Sequence, residues 1–296
     1  MSAVAGKVCV VTGAGSGIGR ALALELARRG ARGVAAADVD DAGLAATAAA
    51  VHGADVHSAR VDVADAEAVA GFARDVVARF GVVHQLYNNA GVADAGPVEE
   101  FEYDQYRRVL DINLWGVIHG TKEFLPHLVA SGDGHVVNVS SLNGIMAQPR
   151  LSAYCASKFA VRGFTESLAA ELALAGTPVK ATVVHPGGVK TNIASAALAH
   201  AERLGHAVTD EDRARERLYN EKLLRMPPTT AARIIVDGVE ADRPRVLVGT
   251  DAKALDLLVR AFPRRWPRLV GTAMRRLDAA SARTSGARQP SGRVRV

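Results

Sequence analysis

Short runs of β-branched residues alternate with longer stretches whose apolar positions recur at helical spacing, and this alternation constrains the fold more than any other feature. Strands are predicted over residues 7–12, 33–38, 56–62, 83–88, 135–140 and 179–185. Helices are predicted over 17–29, 40–51, 65–80, 101–130 and 152–175, with Gly30, Gly53, Gly81, Gly132 and Gly176 at or just beyond their ends as stop signals. Strand and helix repeated in this way imply an α/β protein: a doubly wound, Rossmann-type parallel sheet of about seven strands with helices on both faces. The run Ala35-Ala36-Ala37 is a poor strand by propensity, so that element rests on Val34, Val39 and the repeat pattern.

No Gly/Ser-rich linker divides residues 1–250, which read as one domain. Within it, residues 192–228 lose the pattern and read as an inserted helical flap, followed by a helix over 229–241 and a seventh strand over 245–248. Residues 251–280 read as a basic amphipathic extension and 281–296 as a disordered tail.

The net charge of +5 divides unevenly: residues 243–296 hold 13 Lys/Arg against 3 Asp/Glu, leaving the rest of the chain acidic. That distribution excludes a nucleic-acid-binding main domain. The opening residues lack a secretory pattern, no apolar stretch is long enough to span a bilayer, and Cys9 and Cys155 sit in apolar runs far apart. A cytoplasmic protein with two free thiols is expected.

The first strand runs into Thr12-Gly13-Ala14-Gly15-Ser16-Gly17-Ile18-Gly19 and then a helix. Such a turn lets the backbone approach a phosphate, and the helix start offers free N–H groups to it. The spacing G-x-x-x-G-x-G is not the common dinucleotide pattern, and a glycine-rich turn by itself can be only a tight turn. Asp38 ends the second strand, where a carboxylate can accept from both hydroxyls of an adenosine ribose or simply cap the next helix. Tyr154 and Lys158 lie four apart on a predicted helix and share a face. A nearby ammonium lowers a phenol's pKa, giving a base usable near neutrality, although the same pair often marks a solvated face. Ser140 and Ser141 put hydroxyls at the sheet's carboxyl edge, where ligands of such sheets bind.

Taken together, these residues resemble the short-chain dehydrogenase/reductase family over roughly residues 5–192. The resemblance rests on the turn Thr12 to Gly19, Asp62-Val63, Asn88-Asn89-Ala90-Gly91, the set Asn113, Ser141, Tyr154 and Lys158, and Pro186-Gly187-Gly188-Val189-Lys190-Thr191. It implies catalytic roles for Asn113, Ser141, Tyr154 and Lys158, with Ser141 selected over Ser140 by its spacing from the tyrosine. Asn113 would anchor a proton relay through water to the lysine. The implied cofactor set is Gly13, Ser16, Gly17, Ile18, Gly19, Asp38, Asp62, Val63, Asn89, Ala90, Gly91, Tyr154, Lys158, Pro186, Gly187, Val189 and Thr191. With Asp38 present, and Ser16 and Val39 where NADP-using relatives place a basic residue, NAD is the expected cofactor. A homodimer or homotetramer through the helices of Asn113 and Tyr154 is also implied.

The expected activity is hydride transfer between NAD and a secondary alcohol or ketone. An NADPH-dependent carbonyl or acyl-chain reductase and a non-catalytic NAD-sensing scaffold are the alternatives, and the intact tetrad argues against the scaffold. The nine histidines show no metal-ligand spacing, so no metal is expected. Cys155 reads as a small buried helix residue rather than a nucleophile, and His185 as a strand-end residue. Leu198, Leu204, Leu218, Tyr219, Leu223, Leu224 and Met226 make the flap suited to a moderately apolar substrate or to packing its own helices. Residues 253–262 form an amphipathic pattern, followed by Arg264, Arg265, Trp266 and Arg268 before Leu269, Val270 and Met274. Peripheral contact with an anionic membrane fits that segment, and packing on the protein's own body or a sister subunit fits it better. Either way the extension is expected to stand apart from catalysis.

Overall fold

The computed structural model describes residues 2–203, 205, 208–272 and 275. Leu204, Met274 and the predicted tail over 281–296 lie outside the described residues. Seven parallel strands, β1 (Val8–Thr12), β2 (Gly33–Asp38), β3 (Asp55–Arg60), β4 (Gln85–Asn88), β5 (His135–Val139), β6 (Lys180–Pro186) and β7 (Arg245–Val248), form one sheet in the order β3-β2-β1-β4-β5-β6-β7. The chain reverses direction of winding between β1 and β4, and the crevice at that switch point is where an open sheet of this kind takes a ligand.

Alternate residues of each inner strand feed opposite cores. Cys9 and Val11 of β1 join Leu22, Leu26 and Ile235 on one face, while Val8 and Val10 join Phe72, Leu86, Phe124 and Leu168 on the other. Two-sided burial is why these runs read as almost continuously apolar. β2 forms despite its alanines because it is paired on both edges, to β1 from Gly33 to Ala37 and to β3 from Gly33 to Asp38. Gly33 is required there, since a Cβ would stand 2.5 Å from the Phe80 ring.

The covering helices are α1 (Gly17–Arg28), α2 (Asp41–Ala50), α3 (Ala66–Phe80), α4 (Tyr103–Leu110), α5 (Gly116–Ala130), α6 (Ser152–Leu174), α7 (Ile193–Arg203), α8 (Asp210–Leu218), α9 (Pro228–Glu240) and α10 (Thr250–Ala261). The single helix predicted over 101–130 is instead α4 and α5 joined by a π-helical stretch, Asp111–Trp115. Gly116 follows it, and a Cβ there would stand 2.7 Å from Val63, so this close approach requires glycine. β3 ends two residues earlier than predicted because Asp62 turns the chain, its Oδ1 accepting from Ala64 N at 3.0 Å.

The flap consists of α7, α8 and a second π-helical stretch, Tyr219–Leu223. It is tied to the loop before α6 by the Arg150–Asp212 ion pair at 2.9 Å and by the Tyr219 phenol donating to Gln148 Oε1 at 2.5 Å. No helix among the described residues is long and apolar enough to cross a membrane.

Candidate active site

The glycine-rich turn leaves β1 with Gly13 at φ +65° and Gly17 at φ +53°, both in the region that favours glycine. A Cβ on Gly13 would stand 2.8 Å from Ala90 Cα, and one on Gly19 would overlap the Gly13 carbonyl. Thr12 then clasps the neighbouring strand: its Oγ1 accepts from Asn89 N at 3.0 Å and Ala90 N at 3.1 Å, while Asn89 Nδ2 donates to Thr12 O at 3.0 Å. The two strands that flank the switch point are thereby locked at their carboxyl ends.

Ser16 precedes α1 without capping it and donates to Asn192 Oδ1 at 3.4 Å. The first-turn N–H groups of α1 therefore carry no capping side chain, which fits a phosphate at that place. Asp38 Oδ2 accepts from Gly15 N at 2.7 Å and its Oδ1 from Asp40 N at 3.1 Å, so the carboxylate is fixed beside the turn. Arg20, the nearest cation, is spent elsewhere: its guanidinium reaches the carbonyls of Gly15 and Gly43 and its Nε donates to Thr47 Oγ1 at 3.0 Å. Val63 is buried and its carbonyl faces His119 Nδ1 at 3.0 Å, with exposed Asp62 beside it.

Across the crevice, α6 carries Tyr154 and Lys158 on one face, with Lys158 Nζ 5.7 Å from the centre of the Tyr154 ring. Lys158 is buried, donates to Val139 O at 3.0 Å and is pushed down to about 8 by that burial. The Ser141 hydroxyl lies within hydrogen-bonding reach of the Tyr154 phenol and accepts from Asn143 N at 3.0 Å. Burial pushes the phenol up, and the bond from Ser141 offsets part of that rise. Burial is the largest influence on the phenol, and none from Lys158 is resolved beside it. Ser140 points the other way and donates to the Lys158 carbonyl at 2.7 Å, which pins α6 to the sheet.

Asn113 sits fully buried in the π-helical stretch. Its Nδ2 donates to Val92 O at 2.9 Å and Ser157 Oγ at 3.0 Å, and its Oδ1 accepts from Val92 N at 2.8 Å. One amide hydrogen thus holds the loop after β4 and the other reaches α6, so the side chain ties the two together. Gly91 marks where the groups converge, since a Cβ there would lie 3.1 Å from Asn113 Oδ1 and 3.3 Å from Lys158 Nζ. His185 Nδ1 donates to the Ser141 carbonyl at 2.8 Å, and burial pushes the ring down to about 4. Cys155 is buried, accepts from Gln148 N at 3.5 Å and has its thiol pushed up by burial, the opposite of what a nucleophile needs.

After Pro186 at the end of β6, Gly187 N donates to Val248 O at 2.9 Å and Gly188 N to Asp251 Oδ2 at 2.7 Å. Val189 is buried and pairs with Met226, and Thr191 approaches the first turn, where a Cβ on Gly17 would lie 3.2 Å from its Cγ2. The implied cofactor residues are therefore gathered along the carboxyl edge from Asp62 to Thr191. Thr12 was read only as the start of the glycine-rich turn, without this bracing role, and Asp251 was not singled out in the sequence. A threonine at a strand end is an available signal, whereas Asp251 meets its partner only through tertiary structure. A cavity of about 530 Å³ on the outer side of the junction is lined by Ser16, Gly17, Arg20, Lys190, Thr191 and Asn220, without Tyr154 or Ser141. No cluster of metal-binding side chains occurs among the described residues.

A model of the short chain dehydrogenase family matches residues 7–202. The chain is a short-chain dehydrogenase/reductase. It is 50% identical over 277 residues to SadH of Mycobacterium tuberculosis, which carries an oxidoreductase designation, covering 93% of this chain and 97% of that one. A short-chain dehydrogenase/reductase of Burkholderia phymatum, solved in complex with NAD, superposes with a TM-score of 0.81 at 32% identity, over 88% of this chain and 95% of that one. Levodione reductase superposes with a TM-score of 0.72 at 29% identity, over 84% of this chain and 99% of that one. This short-chain dehydrogenase/reductase is accordingly an oxidoreductase of CH–OH groups with a nicotinamide cofactor site.

Proposed function

We propose that this enzyme interconverts a moderately apolar secondary alcohol and its ketone with NAD(H). The observation that carries the reading is the convergence of Tyr154, Ser141 and Lys158 at the carboxyl edge, opposite a turn whose neighbouring carboxylate, Asp38, is already fixed for a ribose. A bound nicotinamide supplies hydride transfer. Tyr154, held protonated by burial, gives its proton to a carbonyl oxygen in reduction and accepts one in oxidation. Ser141 holds that oxygen, and the buried Lys158 ammonium stabilises the phenolate and offers hydrogens to the ribose. Gly13, Ser16, Gly17, Ile18 and Gly19 would take the pyrophosphate, Asp62 and Val63 the adenine side, Asn89, Ala90 and Gly91 the wall, and Pro186, Gly187, Val189 and Thr191 the nicotinamide.

The partly buried Leu198, Leu218, Tyr219, Leu224 and Met226 support an apolar substrate under the flap. A spectrophotometric screen of secondary alcohols with NAD tests the reading. NADH formation is expected, and its absence from every alcohol and ketone tried with either cofactor would overturn it.

Trp115 and Phe159, 50% and 40% exposed on the elements that hold Asn113 and Tyr154, support a homodimer or homotetramer through those helices. At the C-terminus, packing of the extension on its own body does not account for Leu257, Phe262 and Leu269, which are 67%, 48% and 50% exposed. Arg264, Arg265 and Arg268 have no ion pair among the described residues. An exposed apolar stripe beside unpaired cations supports contact with an anionic membrane surface. Flotation with anionic vesicles at physiological salt is expected. Failure to float, with a fall in oligomer size on truncation, would assign the segment to a sister subunit. Two buried free thiols support a cytoplasmic location.

A further inference from the structure

We infer that Asp251, on the C-terminal helix α10, is a positioning residue for the nicotinamide cofactor: it sets the Gly187–Gly188 turn from which Val189 and Thr191 are presented. The inference rests on the proposed reading of that turn as the nicotinamide side of the site.

The turn is held from two directions. Gly188 N donates to Asp251 Oδ2 at 2.7 Å, while Gly188 O accepts from Arg225 N and Met226 N, each at 3.0 Å, where the flap returns to the body. The Asp251 carboxylate, on a solvent-exposed residue, lies against glycines of two separate segments: a Cβ on Gly187 would stand 2.5 Å from its Cγ, and one on Gly249 3.5 Å from it. Gly249 also has φ +109°, a conformation that side chains rarely adopt, and this is what aims the first turn of α10 back at β6.

The helix that delivers Asp251 is itself anchored. Ala252 is fully buried, and Asp256 Oδ1 accepts from Arg245 of β7 at 2.7 Å, with both side chains largely withdrawn from solvent. The carboxylate thus reaches the turn on a rigid support rather than on a loose tail. Removing it leaves Gly188 N without its charged acceptor and the turn fixed from the flap side alone. The beginning of the extension is therefore part of the site, contrary to the expectation that it stands apart.

The test is NADH binding by fluorescence titration of the full-length protein, together with thermal melting without cofactor and separate kcat and KM for NAD. Loss of a charge-assisted hydrogen bond predicts that Asp251→Ala weakens NADH about tenfold and raises KM for NAD by a similar factor, with kcat at saturation changed less than about threefold. Asp251→Asn keeps an acceptor oxygen and should restore binding to within about threefold. Asp251→Glu keeps the charge but does not fit between the glycines, and should weaken NADH as Asp251→Ala does. A purely structural role would lower the melting midpoint and leave the dissociation constant of the folded protein unchanged; that result, or wild-type affinity in both the Ala and Glu variants, overturns the inference. Wild-type protein that binds neither NADH nor NADPH overturns the parent reading and this inference with it.

Discussion

Replacing Asp38 by alanine separates the bracing of the glycine-rich turn, seen in the structure, from the ribose contact proposed for the same carboxylate. In the wild type, a 2′-phosphate would be forced against the Asp38 oxygens, which already accept from Gly15 N at 2.7 Å and Asp40 N at 3.1 Å. Two unit charges about 4 Å apart repel by about 4 kcal/mol at an effective dielectric near 20, and partial exposure reduces that to roughly 2 kcal/mol. Loss of the ribose hydrogen bond adds about 1 kcal/mol, so NAD should be preferred on the order of 100-fold. Arg20 cannot offset the repulsion without giving up the carbonyls of Gly15 and Gly43. In Asp38→Ala the loosened turn should cost both cofactors alike, about tenfold, while only NADP is relieved of repulsion. With the ribose hydrogen bond lost as well, the expected result is kcat/KM for NAD down about fiftyfold, kcat/KM for NADP unchanged or raised, and a wild-type preference that shrinks with added salt. The measurement is kcat/KM for both cofactors at one alcohol concentration and two ionic strengths. A larger wild-type kcat/KM with NADP, or an equal fall for both cofactors in the variant, would refute the reasoning.

Tyr154→Phe should lower turnover by about 100-fold or more with NADH affinity nearly intact, because only the proton-carrying hydroxyl is lost, whereas Lys158→Met should harm both; stopped-flow turnover and fluorescence titration separate them. His135 and His185 are both pushed down to about 4 by burial, against about 6.5 when unfolded, so stability is full above pH 6.5 and is lost as pH falls toward 4. By pH 5 the loss should be on the order of 2 kcal/mol per ring, read as a falling urea midpoint, and a flat midpoint between pH 7 and 5 would contradict it. Gly19→Ala should abolish cofactor binding, since a methyl group would overlap the Gly13 carbonyl; titration showing wild-type affinity would mean that the turn adapts.

The inner strands were legible because burial on both faces leaves an apolar signature: Val8 to Val11 feed two cores at once. Their ends were less so, because β3 stops where Asp62 finds Ala64 N, a turn that strand propensity does not register. The break in the helix over 101–130 was invisible for a similar reason: the apolar spacing runs on through the π-helical stretch without a local signal. Among site residues, the split between Ser140 and Ser141 came from resemblance, and the structure adds that Ser140 is committed to the Lys158 carbonyl. For Tyr154 a sequence lists the charge four residues away but not the depth of burial around the phenol, which pushes its pKa up. Asp251 was missed because its partner, Gly188, lies across a flap and a strand.

The π-helical stretch at Asp111–Trp115 stores one residue more than an α-helix of the same reach would need. Deleting any one residue there would let the segment relax to α geometry, and everything on one side of the deletion would rotate by about 100° relative to the other. Asn113 would then swing away from Val92, to which it is bonded on both backbone groups, while α5 could keep its packing only by dragging α4 around the barrel of its own axis. A single-residue deletion here should therefore cost more than a substitution that leaves the π-helical register in place. A change of chain length is more easily absorbed in the connecting loops and the flap than in this helix.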